Sequence, residues 1–205
     1  MTLIEILGLG LGAAWTSGIN LYATVAVLGL AQHYDWVRLP GGLDVLDNPW
    51  IIGVALFLYV VEFVADKVPY VDTAWDAIHT FIRVPAGALL ALAATTGVEL
   101  PPVVQVVAFL VGGGLALSTH GTKATVRAAA NTSPEPVSNW VLSIVEDVLA
   151  VGALALAIAY PVVLIGVIIV FLLILAWILP KVVRRLRRLF ARARELFGGR
   201  RAVRA

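Results

Sequence analysis

Four carboxylates lie in sequence that is otherwise apolar enough to enter a bilayer. Glu62 and Asp66 close the run VALFLYVVEFVADK (54–67), and Glu146 and Asp147 sit inside VLSIVEDVLAVGALALAIAY (141–160). Helical spacing puts Glu62 and Asp66 on one face. Asp147 points about 100° from Glu146, so the two need not share partners. A charge in such surroundings is costly. It faces a bundle interior or a water-filled cavity, which makes it a candidate site by default. Burial also pushes a carboxyl group towards protonation at working pH. The chemistry implied is coupling by protons or cations; the plainer alternative is a set of ion pairs with Lys67, Lys123 or Arg127 that fixes helix registry.

Two further segments carry polar stripes. In PYVDTAWDAIHTFIRVP (69–85), Asp72, Asp76, His79 and Arg83 recur at helical spacing, with Trp75, Ile78 and Ile82 on the other side. The pattern reads as an amphipathic helix at the membrane interface, or one that dips into the membrane. Its polar face meets water, or it turns inward towards Glu62 and Asp66. In the second case Asp76 and His79 become candidates for a metal ion or a proton relay, although two ligands alone define no metal site. In STHGTKATVRAAANTSPEPVSNW (118–140), Lys123, Arg127 and Asn131 repeat every four residues. That stripe suits an anionic headgroup or phosphate, or simple positive-inside anchoring. Thr132, Ser133 and Pro134 should end this helix, Pro136 should start the next, and Ser138 or Asn139 could cap it. Asn20 is an amide in the middle of a first apolar segment rich in Gly, Ser and Thr. It needs a partner there, whether as interhelical glue or as part of the site.

The elements that must position these residues are membrane helices. The 205-residue chain is 60% hydrophobic and 14% charged, with a mean hydropathy of +0.94. A water-soluble domain carries about 25% charged residues, so an all-α polytopic membrane protein is expected. Cysteine is absent, which excludes disulfide and thiolate chemistry. The start, MTLIEILGLGLG, reads as a first span and not as a cleaved signal peptide. Six spans are expected, at about 3–31, 49–66, 83–96, 101–120 (continuing as helix to 130), 137–159 and 161–179. Val148 to Pro180 holds no charged side chain, and its 33 residues would make a helix of about 50 Å. Tyr160-Pro161 is the natural break.

Ten of the fifteen Lys and Arg residues lie between Lys181 and Arg204. With six spans and both termini cytoplasmic, only Arg38 among the basic residues falls outside, as the positive-inside rule prefers. The expected organisation is one membrane domain, 1–180, and a basic cytoplasmic tail, 181–205. In the tail, Leu186, Leu189, Phe190 and Phe197 would touch lipid while the arginines meet anionic headgroups. Little aromatic interleaving and an embedded body argue against nucleic acid as a partner. Gly112-Gly113-Gly114 marks a packing or hinge point, since no Lys-Ser/Thr follows to complete a phosphate loop.

The halves share an order of landmarks. TSGINLYATV and STHGTKATV pair Gly18 with Gly121, VVEFVA and IVEDVLA pair Glu62 with Glu146, and RVPAGALLAL and AYPVVLIGVI pair Pro85 with Pro161. Three spans in each half, about 3–97 and 101–180, would give inverted repeats, which place sites at their interface near mid-membrane.

The runs SGINLYATV, VVEFVADKVPYVDTAWDAIHTFIRVPAGALLA and KATVRAAANTSPEPVSNWVLSIVEDVLAVG resemble the bacterial membrane family termed domain of unknown function 4126. The resemblance covers nearly the whole chain apart from the basic tail. It implies a membrane fold, in the plasma membrane, and carries no catalytic roles. The candidate site residues above, from Glu62 to Asp147, fall within its motifs, as do Lys67 and Pro134.

Three functions fit these observations. The first is a small transporter or flippase with a central polar site for an anionic small molecule or lipid headgroup, coupled to protons or cations. The second is a membrane-embedded metal or acid–base enzyme acting on a lipid. It is the lesser expectation, because HExxH, GxSxG and a nucleophilic cysteine are all missing. The third is a structural or assembly subunit, and a homo-oligomer fits any of the three. No cofactor is called for.

Overall fold

The computed structural model describes residues 1–132 and 136–198. It is all-helical among the described residues: α1 (Leu3–Ile19), α2 (Leu21–His33), a short 3-10 helix (Gly41–Asp47), α3 (Pro49–Ala65), α4 (Val71–Thr95), α5 (Pro102–Ala130), α6 (Pro136–Ala159) and α7 (Pro161–Gly198). Four of these, α4 to α7, are long and apolar enough to cross a membrane alone. The 3-10 helix and α3, bent by 74°, make a fifth candidate if counted as one span. The chain has the helices of a multi-pass membrane protein.

The first expected span is two helices. Asn20 breaks it with an extended backbone, φ −146° and ψ 102°. The cause is local. Asn20 Oδ1 accepts from Ala23 N at 2.9 Å and caps α2, which gives the backbone an alternative to continuous helix. Just before it, the Thr16 and Ser17 hydroxyls donate back to Gly12 O and Ala14 O at 2.9 and 2.7 Å, a contact that bends helices.

The segment 69–85 is no separate interfacial or re-entrant element. It forms the first part of α4, which runs on through Pro85 to Thr95, so the short third span expected at 83–96 is the far half of one 25-residue helix. Pro85 costs the helix one hydrogen bond, to the carbonyl of Phe81, and does not end it. The polar stripe turns inward. Asp72, Asp76, His79 and Arg83 are buried, while Ile78 and Phe81 are 62% and 83% exposed. In water this orientation would be inverted; against hydrocarbon it is the stable one.

Helices α1, α4 and α5 pack together closely, α6 lies against α1 and α2, and α3 lies against α2. Small residues permit the approach. A Cβ on Gly18 would stand 1.9 Å from Thr119 Oγ1, and one on Gly112 would stand 2.4 Å from Ala91 Cβ. Gly112 is thus a packing point of α5 against α4. A hydrophobic cluster including Leu9, Leu28, Leu43 and Leu154 fills the side of the bundle nearer the 3-10 helix.

Other expectations fare variously. Helix α6 ends at Ala159 and α7 begins at Pro161, as the Tyr160-Pro161 break predicts. Asn139 lies inside α6 and does not act as a cap; its amide donates to Asn131 Oδ1 at 3.0 Å. The paired landmarks of the two halves occupy different settings. Gly18 adjoins a helix break while Gly121 is inside α5, and Pro85 is inside α4 while Pro161 starts α7. Two compact units divide the chain, Met1–Gly166 and a second from Val167 onward. In the second, the helix continues through Pro180, and Lys181 Nζ lies over the Trp177 ring. Ser133, Pro134 and the tail residues 199–205 lie outside the described residues, as do the side chains of Leu186, Leu189, Phe190 and Phe197.

Candidate functional site

Five helices of the first unit meet at one buried centre, four of them bringing charged side chains. Arg83 of α4 donates from Nη2 to Glu62 Oε1 of α3 at 2.6 Å and from Nη1 to Asp76 Oδ1 at 3.4 Å. Lys123 of α5 lies within 4 Å of four carboxylates: Asp66 at 3.1 Å, Glu62 at 3.2 Å, Glu146 at 3.4 Å and Asp76 at 3.8 Å. Arg127, one turn further along α5, holds Asp66 Oδ2 at 3.0 Å, meets Asp72 at 3.6 Å and forks onto Glu146 of α6. Asn131, at the end of α5, donates to Asp72 Oδ1 at 2.8 Å and accepts from Asn139. The fifth helix is α1, which contributes backbone. The break at Asn20 frees its last carbonyls, and these accept from Arg83 (Ile19 O, 3.2 Å) and from Lys123 (Ile19 O, 3.2 Å). The negative end of the α1 dipole therefore faces two cations.

The network is out of charge balance. Among the described residues three cations, Arg83, Lys123 and Arg127, face five carboxylates, Glu62, Asp66, Asp72, Asp76 and Glu146, so with every one of these groups ionised they carry two excess negative charges. All eight side chains are buried. Glu62 Oε2, Asp66 Oδ1 and Asp76 Oδ2 have no hydrogen-bond partner among the described residues. A buried ionised carboxylate without a counter-charge costs several kcal/mol in real proteins, of order 3–5 when a partner is missing.

The two histidines nearby are held by uncharged arrangements. His79 Nδ1 donates to Trp75 O at 2.7 Å, which leaves Nε2 to accept from the Tyr22 hydroxyl at 3.0 Å. His120 Nδ1 accepts from Arg83 at 3.0 Å and Nε2 donates to Asp76 O at 2.9 Å. These tautomers follow from the partners. His79 and Asp76 consequently point to different partners, and among the described residues no group of three or more His, Asp or Glu is arranged to hold a metal ion.

Most of the sequence-predicted residues thus come together, while the side chains of Asn20, His79 and Asp147 bond outside the ion network. Asp147 is held by Asn20 Nδ2 at 3.0 Å and the Tyr59 hydroxyl at 3.2 Å, on the side of α6 that faces α2 and α3. Lys67 turns to Phe63 O and Ser143 Oγ, at 2.9 and 3.2 Å. Sequence reasoning missed His120, Tyr22 and Tyr59. His120 was findable: with Lys123, Arg127 and Asn131 it extends the α5 stripe at helical spacing, matching the four-residue stripe of α4. Tyr22 and Tyr59 gave no such signal, since aromatic residues in apolar helices are common.

Helices long and apolar enough to cross a membrane, enclosing a charged centre of this kind, define a multi-pass membrane protein with a buried ionic network. The family model described as domain of unknown function (DUF4126) matches residues 7–181, and the chain belongs to that family. No curated protein and no solved structure matches the chain.

Proposed function

We propose that this protein is a small membrane transporter or flippase that takes up coupling protons at the Glu62–Asp66–Asp76 centre. The observation that carries the reading is the excess of carboxylates over cations at full burial. Three cations can neutralise three carboxylates. The remaining two are stabilised by binding protons, and the three unpartnered oxygens offer the places where those two protons would sit. Arg83 and Lys123 bridge these carboxylates to the carbonyls freed at the α1–α2 break. A change in protonation would therefore shift the cations' balance between side chains and backbone at an interrupted helix, the usual place for coupling sites in transporters.

The expectation of an anionic group on Lys123 and Arg127 takes a different form in this reading. Both cations are already engaged by carboxylates, so the network serves the proton, and the transported group binds elsewhere. The reading counts α1 and α2 as one interrupted span, which with α3 to α7 makes six, with both termini on the cytoplasmic side. Glu62 and Glu146 meeting the same Lys123 is what supports opposed halves. The basic stretch of α7 would lie against anionic headgroups.

The test is proton flux and scrambling of a fluorescently labelled phospholipid in proteoliposomes. Glu62→Gln and Asp66→Asn should each lower at least one of these tenfold or more. Wild-type rates in both variants would overturn the proposal. A second reading, a structural or assembly subunit, is favoured by one observation: every cation of the network is engaged by at least two carboxylates. It predicts no flux above protein-free vesicles for the wild-type protein.

A further inference from the structure

A separate apolar groove of about 560 Å³ lies between α2, the 3-10 helix, α3 and α4. One end is set by Leu43, Leu46 and Trp50, next to the 3-10 helix; the other is set by Leu21, Tyr22 and Leu58. The lining is hydrocarbon almost throughout, with Tyr22 and Trp50 the residues that also carry a polar side-chain group. The Tyr22 hydroxyl hydrogen-bonds His79, one helical turn from Arg83. The groove therefore runs from the 3-10 helix to the margin of the charge network.

We infer that this groove binds one acyl chain of a membrane lipid, with the chain end lying against Tyr22. Three observations commit the site to that occupant. Its rim residues Val54 and Leu89 are each 56% exposed, continuous with the outward apolar faces of α3 and α4, so the groove opens to hydrocarbon. From Trp50 to Leu58 it follows nine residues of α3, a rise of about 12 Å, against about 15 Å for half of a 30 Å hydrocarbon core. Its volume falls within the range of sites that enclose one small ligand. A chain seated there reaches from the 3-10 helix towards mid-membrane, as a chain of one leaflet does. The inference stands whether or not the network carries protons.

The absence of cysteine allows a clean test in the full-length protein. Single cysteines at Val54 or Leu89, carrying a small fluorophore, are compared with one at Val106 of α5, which is exposed and outside the groove. The vesicles are phosphatidylethanolamine and phosphatidylglycerol, with increasing amounts of a phospholipid brominated on its acyl chain. Quenching at the groove positions should reach half-maximum at a brominated-lipid fraction about tenfold lower than at Val106. Ala86→Phe, which fills the lining, should return the groove positions to the Val106 curve. Identical curves at all three positions in the otherwise unaltered protein would overturn the inference. So would unchanged quenching in the Ala86→Phe variant, or a dimer that shields Val54 and Leu89 from quenching altogether.

Discussion

Arg83 Nη2 donates to Glu62 Oε1 across 2.6 Å, and neither side chain has accessible surface. In a balanced ion pair, removing either partner would cost about the same. This pair belongs to a network with more carboxylates than cations, so the two losses differ. Arg83→Gln leaves five buried carboxylates with two cations and should cost about 3–5 kcal/mol. Glu62→Gln lowers the excess and keeps an amide oxygen near Arg83, so its cost should be about 1–2 kcal/mol. Thermal unfolding of both variants in one detergent measures the asymmetry; equal losses would show the pair to be balanced.

The glycines make a second contrast. A Cβ on Gly18 would meet Thr119 Oγ1 at 1.9 Å and Ala116 O at 2.4 Å, both parts of a neighbouring helix. Gly18→Ala must push α1 and α5 apart and should cost about 1–3 kcal/mol. A Cβ on Gly114, inside α5, would meet nothing within 4 Å. Gly114→Ala should raise stability by up to about 1 kcal/mol, the difference in helix propensity. Melting temperatures of the two variants should move in opposite directions.

Asn20 does three things at the α1–α2 break: it caps α2, it holds Asp147, and it frees the α1 carbonyls that Arg83 and Lys123 use. Asn20→Ala loses the cap and the amide, at about 1–2 kcal/mol. Asn20→Asp keeps the cap and sets two carboxylates within hydrogen-bond reach. They repel unless one is protonated, so the deficit of this variant should shrink as pH falls. A pH series of unfolding midpoints checks this against Asn20→Ala, whose deficit should stay flat.

Much of this arrangement could be read from the chain. The i,i+4 and i,i+3 spacing of Asp72, Asp76, His79 and Arg83 showed a polar stripe, and the run without charge after Asp147 showed two spans meeting at Tyr160-Pro161. What spacing could not show was orientation. A stripe on an amphipathic segment is equally consistent with water outside and with charges inside, and only the partners Glu62 and Lys123, on other helices, decide it. Pro85 invited a helix boundary because local sequence carries no sign of the tertiary packing that keeps α4 helical through it. The break at Asn20 was hidden for the same reason. Its capping bond to Ala23 is local, but the value of freeing Ile19 O depends on cations that lie 64 and 104 residues away in sequence.

Lys123 is the member whose loss should matter most. Its ammonium donates to Glu62, Asp66 and Ile19 O, and two further carboxylates lie within 4 Å. Lys123→Met keeps the volume and removes the only positive charge among the described residues that is common to Glu62, Asp66, Asp76 and Glu146. The expected cost is about 3–5 kcal/mol near neutral pH. Protonation of the deserted carboxylates would relieve it. The folded variant then binds more protons than its unfolded chain, so its stability should rise as pH falls, and its difference from the wild type should narrow. Adding Glu62→Gln to Lys123→Met should recover at least about 1 kcal/mol, since the two changes act on one contact and cannot be additive. Lys123→Arg keeps the charge, but a planar fork must fit a site shaped for a compact ammonium, so an overpacking cost of about 1–3 kcal/mol with little pH dependence is expected. Unfolding midpoints of the four proteins across a pH series separate these terms. A flat profile for Lys123→Met would mean that the carboxylates around it do not titrate across the series, and uptake of the coupling protons would have to move to Asp72 or Asp147.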